Sequence, residues 1–270
     1  MTASSPLGTA LITGASAGIG ATYAKRLAAR GYDVLLVARR AERLQALAAQ
    51  LRSSHGVNVT VLPADLSQPQ EVERVARVFE TEGITLLVNN AGVAAFGDVA
   101  SMEHHALTAM AAINIDALVR LSQVAVNAFK RRNHGTIINI GSILGFHTQP
   151  FSAAYSGTKG YVVNFTRGLQ AEVEGTAVVV QLVAPSATAT DIWETSGVSL
   201  SSLGPEQIMA VDDLVDAALA GLDQGERITF PSVEDARLFE DYERARLKLM
   251  AGAQSGTPAS RYTLGRSDSL

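Results

Sequence analysis

The sequence predicts a doubly wound α/β fold, with a seven-stranded parallel sheet flanked by helices on both faces. Three observations carry this. Short apolar runs alternate with segments of helical spacing along the 270 residues. The apolar runs are continuous rather than alternating, which means burial on both faces, as in a parallel sheet covered by helices. The first run ends in a glycine turn that opens a helix.

Residues 9–13 read as the first strand and 19–30 as the helix after it, stopped at Gly31. Residues 33–38 form a second, nearly all-apolar strand. Leu44, Leu47 and Leu51 give 39–51 a helical stripe. A third strand covers 57–62. The segment 68–82 is a polar-faced helix carrying Val72, Val75, Val78 and Phe79. A fourth strand covers 84–89, a long helix 103–131, and a fifth strand 136–140. A second long helix covers 153–174 and a sixth strand 177–183. The spacing predicts a helix over 211–222, a short last strand over 227–230, and helix again from Ser232 to about Met250. No linker rich in Pro or Gly interrupts the first to the last strand. The reading is one domain over 1–251 and a small, polar tail over 252–270.

Composition excludes several function classes. Apolar residues make up 47% and charged residues 18%, which rules out a disordered chain. With no cysteine there is no disulfide framework, Cys-based zinc site, iron–sulfur cluster or cysteine nucleophile. Lys plus Arg count 22 and Asp plus Glu 26, a net charge of −4, which argues against nucleic-acid partners. The five histidines lack metal spacing, so no metal is expected. The start of the chain lacks the basic and apolar regions of a signal peptide. The apolar runs are shorter than the roughly 20 residues of a membrane span. The expectation is a cytoplasmic protein without a membrane partner.

The first strand runs into Thr13-Gly14-Ala15-Ser16-Ala17-Gly18-Ile19-Gly20. Glycines there permit a tight turn and let the backbone approach a pyrophosphate at the helix N-terminus. The second strand ends Val37-Ala38-Arg39-Arg40. A carboxylate at this place would bind the free 2′-hydroxyl of NAD. Ala38 removes it, and Arg39 offers a guanidinium suited to a phosphate, with Arg40 beside it as a further cofactor-binding candidate. Ser16 adds a hydroxyl. NADP(H) is therefore preferred, with NAD(H) the alternative; the competing reading is a solvated helix start. Tyr155 and Lys159, at i and i+4, share one helix face. A nearby ammonium lowers a phenol's pKa from near 10, which makes the pair an acid/base candidate. Ser142 follows the fifth strand, within reach of the same oxygen.

These motifs together resemble the short-chain dehydrogenase/reductase family, in its compact single-domain branch. The resemblance covers about residues 7–230. It rests on Thr-Gly-x-x-x-Gly-Ile-Gly at 13–20, Asp65, Asn-Asn-Ala-Gly at 89–92, Asn114, Ser142 and Tyr-x-x-x-Lys at 155–159. It implies a Rossmann fold and a catalytic tetrad of Asn114, Ser142, Tyr155 and Lys159. Tyr155 would exchange the proton, Ser142 would bond the same substrate oxygen, Lys159 would hold the nicotinamide ribose, and Asn114 would anchor a water. Asp65 and Leu66 would lie beside adenine, and Asn90, Ala91 and Gly92 along the adenosine and diphosphate. Taken singly, Asn114 also reads as a helix-packing amide and Asp65 as a helix cap.

After the sixth strand the family's Pro-Gly-x-Val-x-Thr becomes Pro185-Ser186-Ala187-Thr188-Ala189-Thr190. Pro185 and Thr190 match; Ser186 brings a side chain to the substrate, and Thr188 replaces the family's valine. Residues 191–207, with Ile192 and the only tryptophan, Trp193, correspond to a substrate lid. Phe96, His147 and Phe151 are further candidates for the cleft, against ordinary packing. The expected activity is an NADP(H)-dependent carbonyl reductase or alcohol dehydrogenase acting on a small-molecule carbonyl or alcohol substrate. A non-catalytic NADP(H) sensor on the same fold is the alternative. The family's long helices commonly pair between subunits, so the resemblance also implies a homodimer or homotetramer.

Overall fold

The structure, a computed structural model, describes residues 5–81 and 83–262. It divides into two compact units, Met1–Ser232 and Val233–Leu270. The division falls after Ser232 rather than at the expected 251.

The first unit is built on seven parallel strands: β1 (Thr9–Thr13), β2 (Asp33–Ala38), β3 (Val59–Pro63), β4 (Ile84–Asn89), β5 (Gly135–Ile140), β6 (Val178–Val183) and β7 (Ile228–Thr229). Their order is β3-β2-β1-β4-β5-β6-β7. Successive side chains on a strand point to opposite faces, so a doubly covered strand must be apolar at every position. Ala10 and Ile12 of β1, with Val34 and Leu36 of β2, enter one core. There they meet Tyr23 and Leu27 of α1 (Gly18–Ala29), Leu44 and Leu51 of α2 (Ala41–His55), and Leu214 and Val215 of a later helix over 211–223. Leu11, Leu35 and Val37 enter the opposite core, against Val72 and Val75 of α3 (Pro69–Ala76). This is the expected doubly wound Rossmann fold. The winding reverses between β1 and β4, and ligands bind at the carboxyl ends of the strands beside such a reversal.

The helix expected over 103–131 is not regular. It runs as α4 (His104–Ala111), a π-helical turn (Ala112–Ala117) and α5 (Leu118–Arg132). The π turn holds Asn114, 1% exposed. The run 104–132 has the length and apolarity of a membrane span, but Leu121, Ala125 and Phe129 are buried in the domain core. The helix expected over 68–82 stops at Ala76 and tightens into a 3₁₀ turn, Arg77–Glu80. The rest of the first unit comprises α6 (Ala153–Glu172), α7 (Ile192–Thr195) and α8 (Val211–Asp223).

A buried polar ladder joins the layers near the site. Asn89 Nδ2 donates to Ser122 Oγ at 2.9 Å and Asn139 Oδ1 at 3.0 Å, and Asn139 Nδ2 donates to Thr166 Oγ1 at 3.0 Å. β4, α5, β5 and α6 are thereby locked in register, because each bond lost would leave a buried polar group unpaired.

The second unit holds α9 (Arg237–Ala253) and a 3₁₀ turn, Ser260–Tyr262. The helix is laced by Arg244–Asp241 at 2.7 Å and Arg246–Glu243 at 2.9 Å. The expected polar tail begins inside this helix, at Gly252, and its residues 263–270 lie outside the described residues.

Candidate active site

A cleft of about 800 Å³ opens at the carboxyl ends of the strands. Its floor is the turn from β1 to α1. Gly14 (φ +66°) and Gly18 (φ +52°) take left-handed conformations that favour glycine. A Cβ on Gly20 would overlap Gly14 O and crowd Asn90 Nδ2. α1 therefore starts against the turn with Ala17 as its N-cap and no side chain capping its free N–H groups. Such an open N-terminus suits an anion. Ala15 N donates to Val37 O at 3.2 Å, tying the turn to the end of β2. Thr13 and Gly20 do not line the cleft. Thr13 Oγ1, 3.2 Å from Val88 O, accepts from Asn90 N and Ala91 N at 3.0 Å, and so supports the loop that does line it.

Ser16, Ile19, Arg39, Arg40, Asp65 and Leu66 line the adenosine end predicted from sequence. Asp65 also closes its own turn, accepting from Ser67 N at 3.0 Å and Ser67 Oγ at 2.8 Å. Arg40 Nε and Nη2 donate to Ser16 Oγ at 3.1 and 3.0 Å. A hydroxyl and guanidinium groups converge here, and no carboxylate ends β2. The glycine turn, the open helix end and this cationic corner fit a phosphorylated dinucleotide.

The middle of the cleft brings Ser142, Tyr155 and Lys159 together. Ser142, 8% exposed, caps the 3₁₀ turn Ile143–Gly145, accepting from Leu144 N at 3.1 Å. Lys159 Nζ donates to Ile140 O at 2.9 Å and sits 5.7 Å from the Tyr155 ring centroid. Burial pushes the Lys159 ammonium down to about 8. Burial pushes the Tyr155 phenol up to about 12, and only Ser142 beside it acts the other way. The acidifying influence of Lys159 expected from sequence is not the governing one in this geometry; desolvation is.

Asn114 does not line the cleft. It stands behind Gly92, where a Cβ would come within 3.3 Å of Asn114 Oδ1 and 3.8 Å of Lys159 Nζ. Its Oδ1 accepts from Val93 N at 2.9 Å, while Nδ2 donates to Val93 O at 2.9 Å and Thr158 Oγ1 at 3.0 Å. Both amide donors are used, so it pins the loop after β4 to α6, as a packing amide does.

The far end is apolar. Phe96, Phe151, Ile192 and Trp193 line it, with Ser186 among them. Phe96 packs edge-on to Tyr155 (5.3 Å, 64°) and stacks on Trp193 (6.1 Å, 22°). Phe96 N donates to Ser196 O at 2.7 Å and Gly97 N to Phe151 O at 2.8 Å. Phe151 is 66% exposed, with φ +63°. His147 is exposed and lies outside the lining, carried past the cleft by the Ile143–Gly145 turn. The unusual Pro-Ser-Ala-Thr-Ala-Thr segment is held by its neighbours. Thr188 pairs as a bridge with Met209, and its carbonyl accepts from Trp193 Nε1 at 2.8 Å. Val198, Leu203 and Gln207 of the expected 191–207 lid also line the cleft, as do Ile143 and Leu144, which the sequence did not single out although they directly follow Ser142.

The model of the short chain dehydrogenase family matches residues 8–199. The chain belongs to the short-chain dehydrogenase family. Among solved structures, it is similar to a short-chain dehydrogenase from Sphingobium yanoikuyae in complex with NADPH. That likeness has 41% identity and a TM-score of 0.90, over 94% of this chain and 100% of that one. It is also similar to the bulky-bulky ketone specific alcohol dehydrogenase from Comamonas testosteroni, at 35% identity and a TM-score of 0.86, over 94% and 98% of the two chains. A very-long-chain 3-oxoacyl-CoA reductase of Anas platyrhynchos is 34% identical over 203 residues, 73% of this chain. The chain spans 65% of that relative's length.

Proposed function

We propose that this short-chain dehydrogenase is an NADP(H)-dependent oxidoreductase for ketones or secondary alcohols with bulky apolar substituents. When bound, the nicotinamide supplies or accepts the hydride. The observation that carries the reading is the placing of Tyr155, Ser142 and Lys159 in the same cleft as the glycine turn, between an anion-binding end and an apolar end. Tyr155 holds its proton at neutral pH, because burial has pushed the phenol up to about 12. It is thus set to donate at Oη to a carbonyl oxygen, with Ser142 Oγ as a second hydrogen bond to that oxygen. Lys159 keeps a positive charge at pH 7 beside them. Phe96, Ile192 and Trp193 give the substituents an apolar wall and keep water from the reacting carbon. Ser16 and Arg40 supply the donors for a 2′-phosphate. The NADPH complex and the bulky ketone specificity of two similar proteins support the same reading.

The test follows NADPH absorbance across a panel of aryl and branched ketones, with Tyr155→Phe as the variant. The variant should lose about 10²- to 10⁴-fold in kcat and keep its NADPH affinity within about twofold. Near-normal turnover in Tyr155→Phe would falsify the assignment. Binding of NADPH by the wild type with no turnover of any panel ketone favours a dinucleotide sensor instead.

A further inference from the structure

The lid is tied to the cationic corner by one carboxylate. Arg40 Nη1 and Arg43 Nη1 lie 3.3 and 3.1 Å from the same oxygen, Asp191 Oδ2. Nε and Nη2 of Arg40 donate to Ser16 Oγ. Asp191 lies between Thr190, another lining residue, and α7, and stands two residues before Trp193.

Resting on the NADP(H) reading above, we propose that Asp191 is an internal occupant of the 2′-phosphate site, and that a 2′-phosphate displaces it and frees the first residue of the lid. The charges favour this exchange. Asp191 and its two arginines are each about half exposed, and exposed pairs of that kind are worth about 0–1 kcal/mol. A phosphate monoester brings about −1.5 to −2 charges and three acceptor oxygens to the same guanidinium groups. It therefore outcompetes a single carboxylate that costs little to move. A ribose hydroxyl, as in NADH, has no charge with which to do so. Asp191 thus acts on the phosphorylated cofactor in two ways. It competes with the 2′-phosphate for Arg40 and Arg43, and it couples the lid to the identity of the cofactor.

Trp193 is the only tryptophan, so its emission reads the lid directly. Adenosine 2′,5′-bisphosphate should shift that emission in the wild type, whereas adenosine 5′-monophosphate should not. Asp191→Asn should emit, before any addition, as the wild type does with the bisphosphate. Its NADPH dissociation constant should fall about three- to tenfold with the NADH constant unchanged. Asp191→Glu, which keeps the charge, should retain the wild-type preference. A wild type that binds NADPH no better than NADH overturns both this proposal and the NADP(H) reading. A wild type that prefers NADPH through Arg40, beside an Asp191→Asn variant with unaltered constants and unaltered emission, overturns the role of Asp191 alone.

Discussion

Lys159 and Asp191 line the same cleft, yet they are held in opposite ways. Lys159 is 6% exposed, donates to a strand carbonyl, and sits on a helix fixed to the sheet by the Asn139–Thr166 bond. Asp191 is exposed and is held by two surface guanidinium groups. The first wall is preorganised, since moving any group in it strands a buried donor or acceptor. The second can move at a cost of about 1 kcal/mol. Chemistry belongs on the rigid wall and substrate admission on the soft one.

Removing the charge on the rigid wall should have the largest effect. The Lys159 ammonium, brought down to about 8, is intact below that pH and neutral above it, while Tyr155, near 12, stays protonated throughout. Reductive kcat/KM is therefore level from pH 6 to about 8 and falls about tenfold per unit beyond it. Lys159→Arg, which does not titrate in this range, should erase that limb. A limb that persists unchanged in the arginine variant assigns it to another group. Asn114→Ala comes next. It strips partners from Val93 N, Val93 O and Thr158, and should cost about 3 kcal/mol, seen as a melting midpoint lowered by about 6–12 °C. A smaller loss would place the loop after β4 on the soft side of the contrast.

The soft wall should respond in selectivity rather than stability. Phe96→Leu removes the stack between Tyr155 and Trp193; KM for a bulky aryl ketone should rise about three- to tenfold and kcat should change by less than about twofold. Steady-state kinetics on large and small ketones separate these effects. A fall in kcat alone would mean that Phe96 positions Tyr155 instead. The smallest effect belongs to Arg43→Ala. Its exposed pair should alter the melting midpoint by less than about 2 °C.

The same division explains what the sequence disclosed. β1, β2 and β4 lie at their expected bounds, because a strand buried on both faces has no polar position to blur it. Ser142, Tyr155 and Lys159 meet because each stands at a fixed place on a strand end or helix. The π turn at Asn114 was hidden, since its apolar residues recur at spacings a regular helix also permits. The sequence points first to Arg39, next after Ala38, as the guanidinium for the phosphate; the folded turn shows that Arg40 is the one that reaches Ser16. Asp191 meets Arg40 across 151 positions, a pairing that no local pattern encodes. His147, a candidate for the cleft by sequence, is carried away from it by a single tight turn.

The π turn has a consequence for chain length. Buried positions flank and fill it: Met110 before it, Ile113, Asn114 and Ala117 within it, and Leu118, Leu121, Ala125 and Phe129 after it. One surplus peptide is stored there. Deleting a residue within 112–117 would restore an ordinary helix and turn everything upstream of it by about 100°. Met110 would swing out of the interior and Asn114 out from behind Gly92. This stretch should therefore tolerate no shortening, a constraint on chain length rather than on the identity of any one residue.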